Sequence, residues 1–251
     1  MNTSSSLRAE LKTKMRGVSA KAMVNSDLQQ EFDRRGPWIT KFVIEGTEYG
    51  GDFDPLADPR VKQFFQWFPN ACEILELGCL EGGHTMALAR QVGVKRIVGV
   101  DARSSNLKKA AFVREVLGLS NIEFQVANLE MVALPIFGKF DAIFCSGLLY
   151  HLPEPWKLIS QFPQVSGNLF VWTHYADDQQ AKEVRNGYTG KSYQEAGTSD
   201  PLSGLSKVSF WPTLSSLIRM LTLSGYHTIH ILENNLIHPH GPCVTLAATL
   251  Y

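Results

Sequence analysis

The sequence predicts an α/β fold: a mostly parallel sheet with helices on both faces. Three observations predict it. From residue 72 onward, short apolar strands alternate with helical segments. These strands are near-continuous apolar runs, as expected when both faces of a sheet are buried. A glycine-rich turn joins the first of them to the first helix that follows. Composition agrees: of 251 residues, 44% are hydrophobic and 19% charged, which suits a packed core and excludes a disordered chain.

Residues 1–36 read as one or two helices ending at Arg35-Gly36-Pro37. Their start is basic (Arg8, Lys12, Lys14, Arg16, Lys21 against Glu10) and serine-rich, a composition shared with transit peptides. The stripe Leu7, Leu11, Met15, Val18, Ala22 favours an amphipathic surface helix instead. Residues 37–70 are aromatic and irregular. Ile44–Gly51 reads as two strand pieces or a turn-rich flap, and Pro59 opens a short helix. Residues 1–70 are therefore expected to form a helical and aromatic cap, with the core at 71–251.

In the core, strands are expected at 73–77, 96–100, 122–126, 140–145 and 169–173. Helices are expected at 84–92, 106–117 and 155–162. Residues 174–212 are polar, with aromatics, and too long for a plain connection, so they read as a lid. Pro212 opens a helix that Gly225 closes, and strands at 226–233 and 243–250 form an antiparallel hairpin ending the sheet.

Twenty-four Lys and Arg balance 24 Asp and Glu, which argues against a dedicated nucleic-acid binder. The four cysteines (Cys72, Cys79, Cys145, Cys243) form no C-x-x-C pair, and a reduced, cytoplasmic chain fits them best. No apolar run reaches the length of a membrane span. Oligomeric state is not encoded in any of these features.

The informative run is Glu76-Leu77-Gly78-Cys79-Leu80-Glu81-Gly82-Gly83-His84. A strand ends in glycines and enters a helix, so a ligand can approach the backbone and meet free N–H groups. A phosphate loop would need Gly-Lys-Ser/Thr, which is missing. A dinucleotide fingerprint would need glycine where Leu80 stands. S-adenosylmethionine, with an ammonium and a sulfonium, suits the acidic Glu76. Asp101 ends the next strand, 19 residues after Gly82; it suits two ribose hydroxyls, or else caps the following helix.

Glu76-x-Gly78-x-x-x-Gly82, Asp101, Asn128-Leu129-Glu130 and Phe140–Leu152 together resemble class I S-adenosylmethionine-dependent methyltransferases over about residues 70–175. The resemblance implies a Rossmann-like sheet with an antiparallel last strand. It places the cofactor, and its product S-adenosylhomocysteine, along Glu76, Gly78, Cys79, Gly82, Asp101, Ala102, Asn128, Leu129 and Ser146. Two departures stand out: Leu80 replaces a common glycine, and Asn128 stands where Asp is frequent. Leu149-Tyr150-His151-Leu152-Pro153 resembles the tRNA wobble-uridine branch and many small-molecule enzymes. The stretches 200–206 and 209–213 look like bacterial natural-product members.

Methyl transfer to an oxygen of high pKa benefits from a general base, which the glycine loop does not supply. His151, after the fourth strand, and His174, after the fifth, are the candidates; His238 and His240 read as loop residues. Tyr49, Tyr150, Tyr188, Tyr193 and Trp211 are candidates for the acceptor pocket. Spacing supports no metal site. The expectation is methylation of a small molecule. A tRNA methyl- or carboxymethyltransferase is the alternative, and a cofactor-binding protein without catalysis is the alternative of another class.

Overall fold

The computed structural model describes residues 25–198 and 200–250. The basic N-terminal stripe, with its transit-peptide and helix readings, lies outside the described residues. Helix α1 (Asn25–Arg35) leads into a hairpin of β1 (Lys41–Ile44) and β2 (Thr47–Gly50). The Ile44–Gly51 stretch is thus a strand pair, with the turn at Glu45-Gly46 where both residues have positive φ. Helix α2 (Pro59–Trp67) starts where expected: Pro59 occupies the first helical turn and the Asp58 carboxylate accepts the Arg60 amide.

The core elements follow in alternation: β3 (Glu73–Leu77), α3 (Gly83–Ala89), β4 (Arg96–Asp101), α4 (Ser104–Val116), β5 (Ile122–Val126), β6 (Ala142–Ser146), α5 (Pro155–Ile159) and β7 (Asn168–His174). Then come β8 (Glu183–Arg185), β9 (Tyr188–Gln194), β10 (Val208–Pro212), α6 (Leu214–Ser224), β11 (Thr228–Asn235) and β12 (Cys243–Thr249). The main sheet has seven strands in the order β5-β4-β3-β6-β7-β12-β11. β3 to β7 pair in parallel, and β12 runs antiparallel to both its neighbours. The chain leaves β3 toward β4 on one side and returns to β6 on the other, so the strand order reverses beside β3. Ligands of open α/β sheets bind at such a reversal, outside the carboxyl ends of the strands.

Successive side chains of β3 point to opposite faces. Leu75 and Leu77 enter one apolar cluster with Leu158, Ile159, Leu217 and Leu221 of α5 and α6. Ile74 enters the other, with Met86 of α3, Val113 of α4, Phe64 of α2 and Phe32 of α1. The cap therefore shares one of the sheet's two cores.

Two expectations change, and the 174–212 segment gains internal structure. Within it, β8, β9 and β10 make a second antiparallel sheet, and irregular stretches remain at 175–182 and 195–207. Pro212 belongs to β10, and α6 begins two residues later because Thr213 caps it by accepting the Ser216 amide. The final hairpin begins at Thr228, since Tyr226 is fully buried and donates its hydroxyl to the Ser166 carbonyl. Among the described residues, no helix is long and apolar enough to cross a membrane.

Candidate active site

A cavity of about 450 Å³ opens at the carboxyl ends of β3, β4 and β6. Gly78, Cys79, Asp101, Ala102, Asn128, Leu129, Ser146, Tyr150 and His151, all singled out from the sequence, line it.

One side is mostly backbone. The Gly78 and Cys79 amides both donate to the Val100 carbonyl, at 2.9 and 3.0 Å, which pins the glycine loop to β4. Leu80 takes a positive φ of 50°, so the loop keeps a left-handed residue where glycine is common. Its amide donates to Asp101 Oδ2 at 3.0 Å. Asp101 Oδ1 accepts the Arg103 amide at 2.8 Å and the Asn106 side chain at 3.3 Å. Burial pushes the Asp101 carboxyl up, and these donors oppose the rise. Gly82 is needed for packing: a Cβ there would stand 3.0 Å from Ala110 Cβ and 3.1 Å from Phe124 Cζ. Asn128 Oδ1 accepts the Glu130 amide at 2.9 Å, turning the chain toward the cavity. Glu130 Oε2 accepts the Ser206 hydroxyl, whereas its Oε1 is buried without a partner.

Glu76 and Gly82 stand behind the cavity wall rather than on it. The alternation of β3 turns Glu76 under α3, where it accepts a short hydrogen bond from the Thr85 hydroxyl. Burial is the main cause that raises its carboxyl to about 8; the Thr85 bond pulls the other way and the nearby Asp101 adds to the rise.

A second polar group was not singled out from the sequence. Arg60 Nε is bound by both Asp58 oxygens, its Nη1 donates to Ser146 Oγ at 2.8 Å, and its guanidinium lies 4.6 Å over the Trp172 ring. His84 Nε2 is 3.1 Å from Asp58 Oδ2. Burial raises Asp58, but His84 and Arg60 outweigh it and hold the carboxyl well below the usual range. Burial also lowers His84. The one sequence signal here was Asp58-Pro59-Arg60 as a helix start. Glu81, fully buried, accepts the Ile39 and Thr40 amides at 3.0 and 2.8 Å and pairs with Lys109, tying the cap to the glycine loop.

The opposite side is built from side chains distant in sequence. His151 ends a short 3₁₀ turn (Leu149–His151), and its Nδ1 lies 3.0 and 3.2 Å from the two oxygens of Glu195. The Glu195 carboxylate also accepts from the Ser209 hydroxyl (2.6 Å), the Ser203 hydroxyl (2.9 Å) and the Gly204 amide (2.7 Å). Burial raises this carboxyl, and the bonds from His151, Ser209 and Gly204 override it to hold the group at about 2. His151 Nε2 is the ring nitrogen left for the cavity. Trp172 and His240 complete the wall. The 200–205 segment closes over the top, held by Arg103, which donates to the Ser203 and Asp200 carbonyls at 2.7 and 3.2 Å.

Several expected residues lie elsewhere. Tyr49 packs into the cap core, stacked on Phe32 at 4.9 Å. Tyr188 stacks on Trp156 beneath the small sheet. Trp211 lies between Tyr193, at 4.7 Å, and His174, at 5.2 Å, behind Tyr150. Large apolar rings on buried strand faces become packing residues first. His174 does not line the cavity either: its Nδ1 contacts the Gly241 and Pro242 carbonyls at 3.1 and 3.2 Å, and burial lowers its ring to about 4. Glu195 was missed because it sits in a polar stretch whose sequence carries no sign of the partner 44 residues away.

The methyltransferase domain family matches residues 69–200. The solved N-terminal domain of EvdMO1, in the presence of S-adenosylhomocysteine and D-fucose, has a TM-score of 0.81 at 35% identity, covering 90% of this chain and 97% of that one. The methyltransferase domain of bacterial CtHen1 shares the fold, with a TM-score of 0.54 at 19% identity over 78% of this chain and 98% of that one. A tRNA U34 carboxymethyltransferase of Campylobacter concisus (strain 13826) is 27% identical over 80% of this chain. The chain spans 63% of that relative's length.

Proposed function

The chain belongs to the methyltransferase domain family, and we propose that it carries a methyl group from S-adenosylmethionine to a hydroxyl of a small, sugar-like acceptor. The observation that carries this reading is His151, which lines the same cavity as the glycine loop and Asp101 and is backed by Glu195.

The residues present fit the cofactor. Asp101 keeps acceptor capacity toward the cavity for two ribose hydroxyls. The buried, unpartnered Glu130 Oε1 suits the exocyclic amine of an adenine, beside Asn128 and Leu129. Arg60 offers a cation for the amino-acid carboxylate, with Ser146 beside it. When bound, S-adenosylmethionine supplies an electrophilic methyl carbon.

The remaining chemistry belongs to this chain. Glu195 accepts the His151 Nδ1–H, which leaves a lone pair on Nε2 toward the cavity. That nitrogen takes the acceptor's hydroxyl proton as the oxygen attacks, and the Glu195 carboxylate stabilises the resulting imidazolium. Trp172 and Tyr150 line the cavity and offer apolar ring surface to the C–H groups of a sugar. The 200–205 segment excludes water from the reacting centre. The D-fucose present with the EvdMO1 domain supports a deoxyhexose-type acceptor.

The test is calorimetric titration with S-adenosylmethionine, followed by methyl transfer to a panel of deoxyhexoses and to tRNA. Transfer to a sugar that fails in His151→Ala supports the proposal. Transfer to tRNA alone, with binding that weakens steeply as salt rises, supports the reading favoured by the U34 relatives. Cofactor binding without transfer to either would indicate a binding protein.

A further inference from the structure

Behind the Trp172 wall lies a cluster that the proposed chemistry does not use. His174 is the last residue of β7 and Cys243 the first of β12, and the two are direct partners across the antiparallel ladder. Directly paired residues point to the same face with Cβ atoms about 5 Å apart. The connection from β11 into β12 folds back over this pair and brings His238 to it. One ligand atom from each of His174, His238 and Cys243 lies within 4.8 Å of the other two.

The surroundings are those of ligands rather than of packing residues. The Gly241 and Pro242 carbonyls take the His174 Nδ1 proton, which leaves the lone pair on Nε2. A hydrogen bond of this kind orients metal-bound histidines. The ring is held in plane by Trp211, stacked at 5.2 Å, and by Tyr150 edge-on at 4.8 Å. The Trp172 ring, two residues before His174 and so on the same strand face, stands 5.1 Å from the His174 ring and closes the cluster on the cavity side. His238 is partly exposed on its loop, with its ring 4.9 Å from that of His174 and its Nδ1 accepting a long 3.3 Å bond from the His240 amide, so a modest rotation can re-aim it.

We propose that His174, His238 and Cys243 form a binding site for a soft divalent cation, zinc above all, which fastens the 236–242 loop against the outer wall of the acceptor cavity. Two imidazoles and a thiolate suit zinc, and hard, oxygen-seeking cations do not favour them. Zinc draws tetrahedral ligand atoms to roughly 3.5 Å of one another, given Zn–N and Zn–S bonds of about 2.0 and 2.3 Å. Rotation of the loop-borne His238 supplies the adjustment. The fourth position is left to water or to His240, whose ring centroid is 5.6 Å from that of His238 and which also lines the cavity. Binding releases the Cys243 thiol proton.

The test uses the full chain, stripped of metal and titrated with Co²⁺ and then Zn²⁺. The expected result is one equivalent of Co²⁺ with a thiolate-to-cobalt charge-transfer band, displaced by Zn²⁺. The band disappears in Cys243→Ser and persists in the control Cys72→Ser. His238→Ala, a loop substitution that leaves the fold intact, binds Zn²⁺ at least roughly tenfold more weakly. Substoichiometric binding to the wild type, a band that survives Cys243→Ser, or an unchanged affinity in His238→Ala would each overturn the site. If Cys243→Ser does not fold, His238→Ala decides the question alone.

Discussion

The two sides of the cavity are built differently. The side made by β3, β4 and β5 uses backbone amides at adjacent strand ends: Gly78 and Cys79 onto Val100, Leu80 onto Asp101, Glu130 onto Asn128. The side made by the lid uses long-range side-chain contacts: His151 onto Glu195, and Arg103 onto the 200–203 segment. Backbone geometry at strand ends comes with the fold, whatever the neighbouring side chains do. A side-chain network has to be assembled from distant segments and tolerates change more easily.

The sharpest way to separate the two sides is to damage each alone. His151→Ala is expected to lower kcat by roughly 10²–10⁴-fold while cofactor affinity stays unchanged, as for a lost general base. Glu195→Gln should follow in the same direction with a smaller loss. Steady-state kinetics beside calorimetry checks both, and a matching loss of cofactor binding in His151→Ala would erase the distinction between the sides.

Asp101→Ala is the converse. Its loss should weaken the cofactor by roughly 30- to 1,000-fold, the equivalent of about 2–4 kcal/mol for a doubly hydrogen-bonded carboxylate. A Kd within a factor of three of the wild type would show that Asp101 only organises the loop.

The two sides also hold carboxyls shifted in opposite directions, so pH separates them. Glu76 keeps its proton in the folded protein up to about 8 and loses it near 4.5 when unfolded. The folded state therefore binds more protons between these values, and this group makes stability fall as pH rises through that window. Glu195, held at about 2 when folded, contributes stability that is present above about 4.5 and lost as pH falls toward 2. Urea melts of Glu76→Gln should show a smaller decline from pH 6 to pH 8 than the wild type. Glu195→Gln should show a smaller acid loss.

The smallest expected effect concerns Leu80. Its left-handed backbone costs about 1 kcal/mol relative to glycine. Leu80→Gly should raise stability by up to about that amount in the same melts, and a clear loss would mean that the Leu80 side chain packs usefully at the cavity wall.

Much of this was readable from residues alone. The alternation of apolar strands with helices, the glycine turn, Asp101 at the end of β4 and the closing antiparallel hairpin are local patterns, because hydrogen bonding within an element and the period of its apolar face are local. The family resemblance, rather than periodicity, pointed to Gly78, Cys79, Ala102, Asn128 and Leu129, and these residues line the cavity. Local logic did not tell which aromatic rings would face the cavity. Tyr49, Tyr188 and Trp211 were equally plausible beside Tyr150, and which of them packs away depends on strand register and on neighbours from other elements. Nor did it pair His151 with Glu195, gather Asp58, Arg60 and His84 beside Ser146, or set His174 against Cys243 with His238 above them. Each of these meetings joins segments that no periodicity links. Sequence patterns record which face of an element is apolar; which polar side chains meet depends on how the elements pack, and that is a property of the whole chain.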